Sequence, residues 1–183
     1  MKIIYETERL IVREWRDEDY KDLYEYASDA EVTKYLSFPT YTSLEVAKER
    51  IAFLKTQYSE GAVAADYCIE HKQAGKVIGS IGIIEYKAKN EGQLEIGYVL
   101  NTKFQGQGYM TEALKGMFKH IKNNNLAKRI VAVHDVANPK SGNVMKRAGM
   151  TKEGILRKAG KNNYHTRCDL AVYSILDEEI SMN

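Results

Sequence analysis

"KFQGQGYMTEALKGMFKHI", residues 103–121, decides how this chain is read. Gly106 and Gly108 stand directly before a segment with helical spacing. Met110, Ala113, Leu114, Met117, Phe118 and Ile121 recur at i, i+3, i+4, i+7, i+8 and i+11. That spacing gives one apolar stripe, so the helix packs on a sheet. Its N-terminus then points out after the run "GQLEIGYVL" (92–100). Free N–H groups and the helix dipole make that end an anion site, and glycines let backbone approach a phosphate. A Walker A loop ends in Gly-Lys-Ser/Thr, whereas Tyr109 and Met110 follow Gly108 here. A dinucleotide fingerprint needs a small residue where Thr111 stands and an acid about 20 residues further on, and the chain offers neither. A pyrophosphate cradle and a plain turn into a helix remain.

Outward from this stretch, the chain alternates patterns. "ERLIVREW" (8–15) reads as a strand. A helix follows with Asp17 as N-cap and Tyr20, Leu23, Tyr24 and Ala27 on one face. "AEVTKYLSF" (30–38) reads as a short helical piece, and residues 43–58 as a helix capped by Ser43. "ADYCIEHK", "KVIGSIGIIEY" and "GQLEIGYVL" are β-rich runs with turn signals between them, which predicts an antiparallel meander. After the opening stretch come a buried strand "KRIVAVHDV", a helix "NPKSGNVMKRAG" ending at Gly149, and a long strand "YHTRCDLAVYSIL". The order predicts a mixed α/β sheet with helices on its faces.

Composition narrows the function. The chain has 183 residues, 44% of them hydrophobic and 28% charged, with a net charge of +2. That length suits one sizeable core, or two small ones. The balanced charge argues against a nucleic-acid binder. No apolar run is long enough to span a membrane, and the charged start "MKIIYETERLIVREW" is unlike a secretory signal. Cys68 and Cys168 stand far apart without a CxxC pattern, which reads as reduced thiols in a cytoplasmic protein. His71, His120, His134 and His165 have no metal-ligand spacing.

With its flanks, the opening stretch resembles the GNAT superfamily of N-acetyltransferases. Their core motif is Gln/Arg-x-x-Gly-x-Gly/Ala at a strand-to-helix junction. Here it reads Lys103-Phe-Gln-Gly106-Gln-Gly108, with lysine in the first position. Four segments resemble the ribosomal-protein, Rim-type branch: "TERLIVREWRDEDYKDLYEYASDAEVTKYL", "LEIGYVL" with "GQGYMTEAL", "NPKSGNVMKRAGM", and "HTRCDLAVYSIL". They follow the family's order along nearly the whole chain.

The resemblance implies a single domain over residues 1–183, of α/β (α+β) class. Its mixed sheet is splayed at the centre and flanked by helices. It implies acetyl-CoA as co-substrate and no metal. Pantetheine would enter between "LEIGYVL" and "KRIVAVHDV", a use that Gly97 inside its strand suits. Backbone near Val99, Leu100 and Asn101 would bond the pantetheine amides. N–H groups of Gln105, Gly106, Gln107, Gly108, Tyr109 and Met110 would hold the pyrophosphate. Asn138 would meet pantetheine or simply cap the helix that Pro139 begins. Arg147 would reach the adenosine phosphate or stand in solvent.

The reaction itself needs a neutral amine. Neutrality at pH 7 costs an α-amine about 1 kcal/mol and a lysine roughly 4–5 kcal/mol. A modest base suffices for the α-amine, and Glu95 is the candidate, sharing the sheet face of Gly97. Ser141 or Tyr173 would protonate the leaving thiolate, and a backbone N–H near Val99 would hold the oxyanion. Tyr35, Phe38, Tyr164 and His165 are candidates to line the acceptor pocket. By family analogy the acceptor is a ribosomal-protein N-terminus. A small-molecule amine, or coenzyme binding without catalysis, stay open. Relatives are commonly homodimers.

Overall fold

The computed structural model describes residues 2–36, 38–59, 65–87, 92–163 and 165–181. Among these, one sheet contains β1 (Ile3–Glu6), β2 (Leu10–Arg13), β3 (Asp66–His71), β4 (Lys76–Lys87), β5 (Gln93–Leu100), β6 (Arg129–Asp135), β7 (Thr151–Lys161) and β8 (Arg167–Leu176). Their order across the sheet is β1-β2-β3-β4-β5-β6-β8-β7. The helices are α1 (Tyr20–Ala27), α2 (Ala30–Thr33), α3 (Leu44–Ser59), α4 (Tyr109–Asn123) and α5 (Pro139–Ala148). The predicted meander is β3-β4-β5, antiparallel throughout.

The sheet divides two cores. Leu94 and Ile96 of β5 pack with α4 on one face. The predicted stripe of α4, from Met110 to Ile121, is at most 4% exposed. Each fully buried Leu or Ile there contributes roughly 1.5–3 kcal/mol. On the other face Val99 packs with Leu23 and Tyr26 of α1 and with Ala47, Ile51 and Leu54 of α3.

β5 and β6 are the parallel pair, matched only at Gln93–Arg129, Leu94–Ile130 and Glu95–Val131. Beyond Glu95, β5 stays with β4 as far as Leu100. Beyond Val131, β6 stays with β8 as far as Asp135. Each strand is held by its antiparallel neighbour, so the two part and the sheet opens at its centre.

Several expectations shift. Asp17 does not cap α1. It opens a 3-10 turn, Asp17–Asp19, that follows Arg16. Asp19 anchors this turn by a buried two-pronged pair with the Arg13 guanidinium, at 2.7 and 2.9 Å. The helical piece after residue 30 is only Ala30–Thr33. β1 and β7 were not expected as strands, and β8 begins at Arg167 rather than at residue 164.

Candidate active site

α4 begins where the opening stretch predicts. Gly108 is its N-cap with φ of +83°, and Gly106 has φ of +80°. Both values lie in the left-handed region that favours glycine. The first helical residues, Tyr109, Met110 and Thr111, have no intrahelical acceptor for their N–H groups. The N–H of Gln105 is spent on the Thr102 carbonyl at 3.2 Å, so Gln105 drops out of the predicted cradle donors. Its side chain instead donates to the Leu100 carbonyl at 3.2 Å and lies 3.5 Å from the Lys140 ammonium.

An acid in the first turn, Glu112, would repel an anion here. It is withdrawn: Thr7 Oγ1 donates to it at 2.6 Å, Arg9 N–H at 2.9 Å and Arg9 Nε at 2.6 Å. Burial raises the Glu112 pKa, but these bonds outweigh it and hold the carboxyl below its usual range. Arg9 also donates to the Gln107 carbonyl at 3.1 Å and lies over the Tyr109 ring. Arg9 and Lys140 are thus cations beside the cradle that the sequence reading passed over. Lys103 is turned away, paired with Glu25 of α1 at 3.0 Å. Lys76 first, then Lys103 and Asn101, outweigh burial and pull Glu25 down to about 2. The odd lysine of the motif is therefore a clasp between loop and α1.

The open centre of the sheet exposes a defined set of backbone groups. Gly92 C=O accepts from Arg129 N–H at 3.0 Å, while Asn101 N–H donates to Ile78 C=O at 2.8 Å. Along β5, even-numbered residues therefore turn their backbone toward β6 and odd-numbered ones toward β4. Tyr98 and Leu100 face the gap. Val99 and Asn101, expected there, face β4 instead. The Asn101 side chain caps the following turn at Lys103 N–H, 3.0 Å. Gly97 is crowded only by the tip of an exposed side chain. A β-carbon there would collide with Ile84, which sits at the bulge of β4 between Ile83 and Glu85.

A cavity of about 530 Å³ passes through the gap, from Ser141 and Met145 of α5 to Arg50 and Gln57 of α3. Glu95, Val99, Asn138, Ser141, Tyr35 and Phe38 line it. Asn138 also caps α5, accepting from Ser141 N–H at 3.4 Å. Ser141 Oγ lies 3.0 Å from the Tyr98 hydroxyl, which also donates to the Ser141 carbonyl at 3.0 Å. Burial pushes the Tyr98 phenol above its usual range despite the Ser141 bond, so it keeps its proton. Tyr98 was missed, although its place after Gly97 in the central strand was a signal. Tyr173 lies behind this pair, its ring 5.7 Å from that of His134. His134 Nδ1 lies 2.8 Å from the Asp135 carbonyl, and its buried Nε2 has no partner among the described residues. An Nδ1–H donor leaves Nε2 an acceptor, packed against Gly142 of α5.

Other candidates are not brought in. Arg147 is exposed in the last turn of α5, the end away from Asn138 and Ser141, where it complements the helix dipole. His165 is exposed in the turn after β7 with φ of +58°. Tyr164 lies outside the described residues. That turn reaches the segment before α3, since Asn163 donates to Thr40 at 3.2 Å.

Residues 9–151 match the family described as "Acetyltransferase (GNAT) domain". The chain belongs to the GNAT family of N-acetyltransferases. The acetyltransferase is 35% identical over 175 residues to the uncharacterized N-acetyltransferase YnaD of Bacillus subtilis, covering 94% of this chain and 96% of that one. Its fold matches a GNAT-family acetyltransferase of Bacillus anthracis with a TM-score of 0.82, at 28% identity, over 97% and 99% of the two chains. It also matches RimL, a ribosomal L7/L12 α-N-protein acetyltransferase solved with coenzyme A. That TM-score is 0.83 at 24% identity over 96% and 99%, a likeness of fold. No described helix of the acetyltransferase is long and apolar enough to cross a membrane.

Proposed function

We propose that the enzyme transfers acetyl from acetyl-CoA to a protein N-terminal α-amine, by direct attack in a ternary complex. The observation that carries this reading is the cavity through the parted strands, with Glu95 and the Tyr98–Ser141 pair both on its wall. The site fits the coenzyme. Gly106 and Gly108 with the start of α4 suit a pyrophosphate. The gap-facing backbone of Tyr98 and the N–H of Leu100 suit an amide-bearing arm. Bound acetyl-CoA supplies the electrophilic thioester.

Glu95 accepts the proton that the attacking ammonium must lose, directly or through water. An N–H of β5 directed at the gap, that of Tyr98 or Leu100, stabilises developing charge on the carbonyl oxygen. The Ser141 hydroxyl, held at 3.0 Å by that of Tyr98, is placed to donate a hydrogen bond to the departing sulfur, and the thiolate then takes its proton from solvent. Ser141 also stands in the first turn of α5, where the positive helix end favours a thiolate. A single carboxylate as base matches an α-amine better than a lysine, which costs roughly 3–4 kcal/mol more to neutralise. Cys68 and Cys168 are free thiols, in keeping with a reducing, cytoplasmic setting.

The cavity volume also suits a small amine, the second reading. Release of free thiol, followed across N-terminal peptides, polyamines, amino acids and amine antibiotics, separates the two. Turnover of peptides is expected, and small amines alone would overturn it. Glu95→Gln is expected to lower kcat most near neutral pH while acetyl-CoA affinity holds. An unchanged pH profile removes Glu95 as base.

A further inference from the structure

The cavity has a second polar end that the proposed chemistry leaves unused. Asp66 of β3 is in register with Gly82 of β4, and Gly82 with Gly97 of β5. Directly opposed residues project to one face, so Asp66 shares the face of Glu95. Arg50 and Gln57, about two turns apart on α3, reach the same end of the cavity, and Ser80 completes it. Among the described residues Arg50 makes no ion pair and no side-chain hydrogen bond. Its charge is felt by Asp66 across the cavity. Burial raises the Asp66 carboxyl to about 6, against the pull of Arg50, Ser80 and Trp15, so it is charged at neutral pH.

A guanidinium only donates and a carboxylate only accepts. The slot between them fits a group that does both at neighbouring atoms, as a peptide unit does. Reach agrees. Two strand spacings of about 4.8 Å put Asp66 roughly 10 Å from Gly97, where β5 leaves β6. A hydrogen bond spans about 3 Å of that, leaving about 7 Å, which is two residues of extended chain.

We propose that Arg50 and Asp66 form a second anchor for the acceptor, gripping a peptide unit one or two residues behind the reacting α-amine. Its N–H donates to Asp66 and its C=O accepts from Arg50. The anchor rests on the acetyltransferase reading above and makes a peptide backbone the recognised feature of the acceptor. A simple alkylamine has nothing to offer this pair, and a polyamine could pair with Asp66 but has no acceptor for Arg50.

Thiol release is followed with acetyl-CoA and three acceptors: a tripeptide with a free N-terminus, the same tripeptide N-methylated at both internal amides, and a simple primary alkylamine. With the wild-type enzyme, N-methylation is expected to raise KM about tenfold, the weight of one hydrogen bond to a charged group. In Asp66→Asn and in Arg50→Gln, the preference in kcat/KM for tripeptide over alkylamine is expected to fall about tenfold, through KM rather than kcat. The KM for acetyl-CoA is expected to hold. A preference unchanged in both folded variants overturns the anchor. So does equal handling of the methylated peptide by the wild type, which needs no variant to fold. Wild-type turnover of the alkylamine but of no peptide defeats the anchor and the peptide acceptor, leaving acetyl transfer standing. No turnover of any amine defeats the proposed function itself.

Discussion

Asp66 sits on a sheet face where burial penalises its charge, and its carboxyl titrates at about 6. In the unfolded chain an aspartate titrates near 3.9, so between about pH 4 and 6 the folded state holds a proton that the unfolded state has released. Folding stability from this group therefore falls as pH rises through that window and is level above it. A difference of about two pH units is worth roughly 3 kcal/mol, less where solvent reaches the carboxyl. Asp66→Asn removes the titration. At pH 7.5 the variant is expected to be more stable than wild type by roughly 1–3 kcal/mol, and at pH 4 the gap should close. Urea denaturation at both pH values checks this, and a gap that does not change with pH refutes it. Neither Asp66 nor Arg50 was legible in the sequence as part of the site. They stand 16 positions apart with no motif between them, and only sheet register and the facing stripe of α3 bring them together.

β5 shows what periodicity can and cannot tell. Alternation placed Glu95 and Gly97 on one face, as found. It did not say which backbone groups point at β6, because that depends on pairing rather than on side chains. The hydrogen bonds at Gly92 and Asn101 fix it: Val99 bonds toward β4, and Tyr98 and Leu100 face the gap. Amide exchange tests this directly. The N–H groups of Tyr98 and Leu100 should exchange faster than that of Val99 in the free enzyme, and should slow selectively once acetyl-CoA is added. Protection of Val99 alone would return the coenzyme contact to the position first expected. The long stripe of α4 was legible because its packing and its period agree. β1 was not, being four residues long with a bulge. Nor was β7, whose mostly exposed, lysine-rich edge carries no apolar alternation. An edge strand of that kind follows from its partner, β8, rather than from its own composition.

Taken whole, the sheet is two blocks, β1–β5 and β6–β8–β7, joined between strands at three residue pairs. Contacts between α4 and α5 help to close them. A ligand lying from the α4 cradle through the gap touches both blocks, so it should stabilise the folded chain as one unit. At a concentration of about 100 times Kd, acetyl-CoA is expected to add about 2.7 kcal/mol, raising Tm by roughly 5–10 °C for a chain of this length. Gly108→Val places a β-branched side chain at φ of +83°, which costs roughly 1–3 kcal/mol and moves the N–H groups of the cradle. The free variant should therefore melt lower than wild type, and its shift with acetyl-CoA should be largely lost. Gly106→Ala separates strain from crowding. Space around Gly106 is open, so only the backbone penalty at φ of +80° acts there, and a smaller loss is expected. A folded Gly108→Val that keeps the full shift would remove the cradle while leaving the gap as a binding site. A wild-type enzyme with no shift at all would remove the coenzyme from this structure altogether.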